Sequence, residues 1–487
     1  MTTSRRRLFA LVLLVFLGGA ACGASPSVER QVAARDAATR AGAAGALTPG
    51  AASSGSSGLA PSVSGSVGGL SSATTLPPVS GSPGGGVSTG PATASAGPGP
   101  ASSSGSSSAA ATAAPAPSGG NGGATDTGVS ATSIKIGGTF FNGSYLDQFS
   151  QVAEQSAKAY FQYINDQGGI YGRTINYQTC DTSATATGTQ GCLKNFGDQA
   201  KVFIMGPSLD FNLDTVQPYL AQHQLPWVGS SALYGAEFQS PWMFPTQLRG
   251  TDVGALIATY AGQTLHVKTV GVSYLNEVAG PECTQRVKDV AAKAGFQVVV
   301  TASNAEIETG LDNQVSQIQA AHPDAVLFCN DPINTIKFIQ AAQRKAYKAT
   351  WVGGFVAADV VPQAAGSYAA GMYGFTGYDF YNLNTPGLQQ YRQITSYYYP
   401  NIFHHFYEQA TYVGAEVIVA AIRKAGPNLT RQSFLAALRS FTDYDTGMGL
   451  HINFANIASS QTSSGMMLQA DNNLKWHVVS GRFSALA

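Results

Sequence analysis

The chain has 487 residues, with 27 basic and 27 acidic side chains, so its formal net charge is zero. That balance counts against a nucleic-acid binder, which carries a basic excess or patch, and against a polybasic membrane-surface protein. Charged residues are only 11% of the chain, well below the ~25% usual for soluble domains, because two very different compositions are averaged.

Arg5, Arg6 and Arg7 form a basic start, Leu8 to Leu17 an apolar run, and Gly18-Gly19-Ala20-Ala21 a small-residue stretch that ends at Cys22. The run is shorter than the about 20 residues a membrane helix needs, so residues 1–21 read as an export signal. No later run is long enough for a membrane helix. The placement of Cys22 resembles a bacterial lipobox and implies a lipid on that cysteine, although Gly19 stands where the motif usually has Leu. Plain cleavage near Ala21, leaving a soluble secreted protein, is the alternative. Residues 22–129 are mostly Gly, Ser, Ala, Thr and Pro, with Arg40 the one charge between Asp36 and Asp126 and no aromatic between Phe16 and Phe140. Such a stretch buries too little apolar surface to offset chain entropy and reads as a disordered linker. Roughly 90 residues of it would span about 50 Å on average.

From Ser130 the chain is too long for one core, and two domains are expected. Ile134 and Ile136 mark a first strand. Phe149, Val152, Ala153, Ala157, Tyr160, Phe161 and Ile164 follow at helical spacing, and Gly168-Gly169 ends that helix. Ile175 and Tyr177 lie in the second strand, Val202 to Met205 in a strand buried on both faces. Leu213, Val216 and Leu220 make a helix, and Pro226 to Val228 a strand. The rhythm restarts near Thr269. Val270 and Val272 form a strand, Cys283 to Ala294 a helix ended by Gly295, and Phe296 to Val300 and Ala325 to Phe328 further strands. Strands alternating with helices predict parallel sheets with helices on both faces. Two such series give an α/β chain of two doubly wound lobes, with ligands expected at the carboxyl ends of the strands.

Several segments resemble the type I periplasmic binding proteins, and most closely the branched-chain amino-acid (Leu/Ile/Val) substrate-binding proteins of ABC transporters. They are AYFQYINDQGGIYGRTINYQTCD from Ala159, VFIMGPSLDF with LPWVGSSALY, TVGVSYLNEVAGPECTQRVKDVAAKAGFQVVV, and TYVGAEVIVAAIRKAGPNLTRQSFLAALRS with GLHINF. The likeness runs from about Ser130 to Val479 in the family order. It implies a hinge of three crossovers, near Gly250, Tyr378 and Leu450. One lobe would then be 130–249 plus 378–450, the other 250–377 plus 451–487.

Cys22 aside, four cysteines remain, an even number suited to an oxidising compartment. Cys180 ends a strand and Cys192 starts the following helix, so Cys180–Cys192 is a natural local bridge. Cys283 and Cys329 lie near neighbouring strand ends and make a second pair, Cys283–Cys329. A metal site is the rival reading, but the spacings fit no zinc pattern. Neither metal nor cofactor is expected.

The resemblance implies that the first lobe holds a ligand carboxylate with backbone N–H groups and Ser/Thr hydroxyls. By position this points to Ser208 and Asp210 after the third strand and to Ser230 and Ser231 after the fourth. Asp210 stands where the family often has Ser, and Leu233 replaces a frequent Thr. Ala279 replaces an aromatic contact, and neutral Ala370 aligns near the acid that pairs with an amino-acid ammonium. Asp252 is displaced from the other acid position. A buried ammonium without a carboxylate is costly, so these departures count against a free α-amino acid, with Asp210, Glu277 and Asp331 the acids available to substitute. Asn142 and Ser144 after the first strand, Tyr274, Asn276 and Glu277 after a second-lobe strand, and Phe355 after WVGG complete the candidates. Each also has a plain structural role open to it. Asp331 before Pro332 makes a helix cap, Asp210 another, and the serines are ordinary turn residues. Trp227 reads as core.

The chain has no G-x-S-x-G elbow, no Walker loop and no H-E-x-x-H. His404-His405 with Glu408 reads as a partly exposed helix face rather than a metal cluster. The expectation is therefore not an enzyme but an exported lipoprotein on the outer face of the cytoplasmic membrane. It would capture a small polar solute, amino-acid-like or an amide or carboxylate, and deliver it to ABC permease subunits without binding nucleic acid. A ligand-sensing lipoprotein of the same fold, signalling to a partner, is the alternative.

Overall fold

The computed structural model describes residues 115, 117–277, 279–457 and 464–486. The export signal, Cys22 and the linker as far as residue 114 lie outside the described residues. Two sheets organise the rest. The first holds β1 (Ser133–Phe140), β2 (Thr174–Asp181), β3 (Ile204–Met205), β4 (Trp227–Val228) and β5 (Met243–Phe244), all parallel, in the order β2-β1-β3-β4-β5. The second holds β6 (Thr269–Leu275), β7 (Gln297–Asn304), β8 (Ala325–Cys329), β9 (Thr350–Gly353) and β10 (Tyr373–Thr376) as its parallel part. A small antiparallel ribbon, β11 (Tyr444–Asp445) with β12 (His451–Ile452), stands apart. Then β13 (Ser464–Ala470) joins the free side of β10 antiparallel, carrying β14 (Trp476–Val478) and β15 (Phe483–Ser484). The second sheet runs β14-β13-β10-β9-β8-β6-β7.

The helices follow from apolar periodicity and local caps. They are α1 (Asp147–Asp166), α2 (Ala186–Lys194), α3 (Gln217–His223), α4 (Gly250–Gln263), α5 (Gly280–Ala294), α6 (Asp312–Ala320), α7 (Pro332–Arg344), α8 (Val360–Ala365), α9 (Pro386–Tyr398), α10 (Phe406–Ala425) and α11 (Arg431–Arg439). In α1 the periodic set from Phe149 to Ile164 is the buried face. Asp331 caps α7 by accepting the Asn334 N–H at 2.8 Å, with Pro332 in the first turn, where its missing N–H costs nothing. Gly295 closes α5 in the left-handed region at φ +91°. The helices α4 and α5 pack closely because of two glycines. A Cβ at Gly254 would sit 2.3 Å from the Cys283 carbonyl oxygen, and one at Gly262 2.1 Å from that of Ala294.

The chain passes between the two lobes three times. After β5 it enters α4, which packs on α5 and against β8, β9 and β10. After β10 it returns through α9 and α10, both packed on α1, with α11 on α10. After β12 it goes back to β13. The crossings are bonded to one another. Tyr378 Oη donates to the Thr246 carbonyl oxygen at 2.8 Å, and the Asp379 N–H to that of Met448 at 2.8 Å. Arg482 holds the middle crossing by donating to the Gly377 carbonyl oxygen at 2.9 Å and to Asp379 Oδ1 at 2.8 Å.

Some elements differ from their sequence pattern. Val202 to Met205 forms a strand only at Ile204–Met205, and Leu213–Val216 is a 3₁₀ turn ahead of α3 rather than part of one helix. Cys192 sits in the last turns of α2, not its first. It is nevertheless bonded to Cys180, and Cys283 to Cys329, each with Cα atoms 5.8 Å apart. Asn121 to Val129, linker by composition, is tied to the first lobe. The buried Arg173 guanidinium donates to the Ser130 carbonyl oxygen at 2.7 Å, that of Pro427 at 2.8 Å and that of Gly123 at 3.0 Å. His405 and Glu408 are fully buried rather than partly exposed, because His405 caps α10 and Glu408 reaches back to the His405 N–H.

Within the first lobe, Glu416 on α10 accepts from Tyr444 Oη at 3.1 Å, and burial pushes its carboxyl up to about 8. Tyr160, Tyr412 and Asp445 are its other titratable neighbours. The folded state therefore keeps a proton that the unfolded chain releases near pH 4.5. Stability is fullest below that pH and falls as pH rises toward 8. Glu416→Gln, which keeps the acceptor for Tyr444, is expected to flatten this fall by about 1–3 kcal/mol, read from denaturant unfolding at pH 5 and pH 8.5.

Candidate functional site

In a parallel sheet every strand leaves its loop at the same end, so the loops after β1, β3 and β4 gather on one side of the first lobe. Those after β6, β8 and β9 gather on the facing side of the second. Between them lies a narrow cavity, lined from the first lobe by Phe211, Leu233 and Tyr407 and from the second by Leu275, Asp331 and Phe355, among others. Phe355 also lines a second narrow cavity toward the crossings, with Leu248, Phe375, Tyr378 and Phe406. The walls are mainly apolar, as in most small-molecule sites, with few polar groups to orient a guest.

The lobes touch beside this space. Tyr145 Oη, in the loop after β1, donates to Asp331 Oδ2 at 3.2 Å, and the Phe355 and Phe406 rings lie 6.0 Å apart. Asp331 also accepts from Asn334 Nδ2 at 2.6 Å. Burial pushes its carboxyl up, against the hydrogen bonds from Asn334 and Tyr145. Beside it, Asn330 is 1% exposed and donates through Nδ2 to Ser273 Oγ at 2.9 Å, while its Oδ1 has no hydrogen-bond partner among the described residues.

Of the sequence candidates, Asp331 and Phe355 line the cavity. Asp331 is both cap and wall, so the two roles open to it from sequence coexist. The first-lobe candidates stand behind the wall. Ser208 Oγ accepts the Thr139 N–H and Trp227 Nε1–H, both at 3.1 Å. Asp210 is fully buried and accepts from Thr189 Oγ1, at 3.0 Å to one oxygen and 2.9 Å to the other. Its carboxyl is pushed up by burial. Ser231 Oγ accepts the Asp210 N–H at 2.8 Å, and Ser230 is buried beside Glu237. Asn142 donates to Glu154 Oε2 at 2.6 Å, and Ser144 Oγ accepts the Leu146 N–H at 3.2 Å just before α1. Tyr274 is half-buried near the end of β6, and Glu277 is exposed.

Sequence reasoning did not single out Phe211, Tyr407, Asn330 or Glu237. Glu237 is fully buried and accepts three successive backbone N–H groups after β4, those of Ala232 at 2.9 Å, Leu233 at 3.0 Å and Tyr234 at 3.2 Å. Burial still pushes its carboxyl up to about 7. Among the described residues no group of three or more His, Cys, Asp and Glu is placed to hold a metal ion, and no helix is long and apolar enough to cross a membrane.

No curated protein sequence matches the chain. Solved structures do match its fold. A fatty acid ABC transporter substrate-binding protein from Thermomonospora curvata superposes with a TM-score of 0.67 at 19% identity, over 74% of this chain and 94% of that one. A branched-chain amino acid ABC transporter from Thermus thermophilus with bound valine gives 0.66 at 15% identity, over 73% and 97%. A substrate-binding periplasmic protein from Ralstonia solanacearum gives 0.65 at 18% identity, over 71% and 100%. With two doubly wound lobes, three bonded crossings and a cavity where their strand ends face, and with the periplasmic binding protein family model matching residues 133–472, the chain belongs to that family.

Proposed function

We propose that the protein is the extracytoplasmic solute receptor of an ABC importer. It captures a small solute between its lobes by hinge closure and passes it, chemically unchanged, to permease subunits. The observation that carries this reading is the cavity between the strand ends of the two lobes, bridged by Tyr145 and Asp331. Family membership supports it, as does the likeness to structures described as ABC transporter substrate-binding proteins.

In this reading 130–249 with 378–450 moves against 250–377 with 451–487. Residues 1–21 direct export, a lipid on Cys22 holds the protein at the outer face of the membrane, and the chain from there to about residue 120 is the tether, since Asn121 to Val129 is bound to the first lobe. Asp331 and Phe355 contact the solute directly. Ser208, Asp210, Ser230 and Ser231 shape the first-lobe loops, and Asn142, Ser144, Tyr274 and Glu277 form the rim.

A thermal-shift screen of the full chain over amino acids, amides, small acids and amines tests the reading. A compound held at a hundred times its Kd should stabilise the fold by about 2.7 kcal/mol and be recovered unaltered. Turnover of the bound compound, or no stabilisation by any class, would contradict it. Tyr145→Phe removes only the cross-lobe hydrogen bond. It should weaken every cleft ligand by about 1 kcal/mol in calorimetric titration while leaving the melting temperature of the unliganded protein nearly unchanged.

A further inference from the structure

Resting on the solute-receptor reading, the hydrogen-bonding groups that face the cavity indicate which end group its guest carries. On the first-lobe side, the N–H groups of Ala232, Leu233 and Tyr234 form a cradle for an anion, and Leu233 lines the cavity. The chain's own Glu237 carboxylate already fills that cradle. The neighbouring hydroxyl oxygens of Ser208 and Ser231 are engaged by the protein, and neither residue lines the cavity. The first lobe thus presents the guest with Phe211, Leu233 and Tyr407.

What remains on the second-lobe side accepts hydrogen bonds. Asn330 lines the cavity with a buried Oδ1 that has no partner among the described residues. Asp331 lines it with a carboxylate that takes two hydrogen bonds from Asn334 and one from Tyr145. The Ile333 N–H reaches it as well, so of its about four acceptor positions a guest donor would share one already in use, drawn there by the charge. No Lys, Arg or His lines this cavity, and Glu306 adds negative charge near Asp331. A guest carboxylate would meet a like charge in a low-dielectric cleft, with only neutral donors such as the Tyr407 hydroxyl on the wall to offset it. An ammonium would neutralise Asp331, satisfy Asn330 and lie among the Phe211, Phe355 and Tyr407 rings, whose faces attract cations.

We propose that the cleft binds an amine with an apolar aliphatic or aromatic body and no carboxylate, its nitrogen donating to Asp331 and Asn330.

Calorimetric titration of the full chain with compounds of one skeleton tests this. One set is 3-methylbutylamine, L-leucine and 4-methylpentanoate, and the other is 2-phenylethylamine, L-phenylalanine and 3-phenylpropanoate. In at least one set the amine should bind about tenfold or more tighter than both the amino acid and the acid. Asp331→Asn keeps a capping acceptor for α7 and should lower that amine affinity by about tenfold or more. An amino acid or acid that binds as tightly as its amine, or an amine affinity unmoved by Asp331→Asn, would overturn the proposal. If no amine binds while another compound class stabilises the protein, the amine proposal fails and the solute-receptor reading stands. A screen without any hit overturns both. Glu237→Ala tests the occupied cradle separately. Formate should raise the melting temperature of the variant and leave that of the parent protein unchanged, and a variant indifferent to formate would show that the cradle is not an anion site. If that variant does not fold, the titrations of the parent protein decide.

Discussion

A parallel strand cannot turn straight back into its neighbour. It must cross over through a helix and re-enter the sheet from the same end. This constraint places the site. Every loop that leaves the carboxyl end of a strand in the first lobe faces one direction, and the loops of the second lobe answer it. Phe211 follows β3, Leu233 follows β4, Asp331 follows β8 and Phe355 follows β9. These side chains are far apart in the chain and meet because the sheet topology sends them to one edge. The three crossings, bonded to each other through Tyr378 with Thr246 and Asp379 with Met448, then decide how the two edges face.

Charge inside this framework is scarce, and where it occurs it is tied down. Arg173 and Arg431 spend their guanidinium groups on backbone carbonyl oxygens. Arg173 binds those of Ser130 and Pro427, and Arg431 those of Phe203, Val202 and His223. They act as pins between segments rather than as ligands for an anion. The buried acids Asp210, Glu237 and Asp331, and the half-buried Glu416, all have carboxyls pushed up by burial. Each is met by hydroxyl, amide or backbone donors rather than by a buried base. Only Asp331 among them lines the interlobe cavity, with Asn330 beside it.

Much of the fold was legible in the sequence. The alternation of strand and helix and the helix-ending glycines are local signals, and so is Asp331 with Pro332 at the start of α7. Local periodicity carries that information without help from distant residues. His405 and Glu408 look partly exposed in the sequence because their burial depends on α1, which packs on α10, and on Tyr391 of α9, which donates to Glu408; His404 is indeed half-buried. Ser208, Asp210 and Ser231 follow from the family resemblance carried over by loop position, which places a loop near the cleft but not a hydroxyl in it. Leu233 was noted only as a replacement for a polar residue, and that substitution was the signal of an apolar wall. Glu237 left no trace in the pattern. The signal that could have found it is an acid a few residues beyond a strand end, where a tight turn brings successive N–H groups together.

The central claim is that two lobes close on one small guest. Spin labels at Gln162 in the first lobe and Gln343 in the second, both exposed, permit a direct test by pulsed electron–electron distance measurement on the full chain. The account predicts a distribution that narrows and shifts to one distance when a stabilising solute is added. A distribution identical with and without a solute that calorimetry shows to be bound would contradict it.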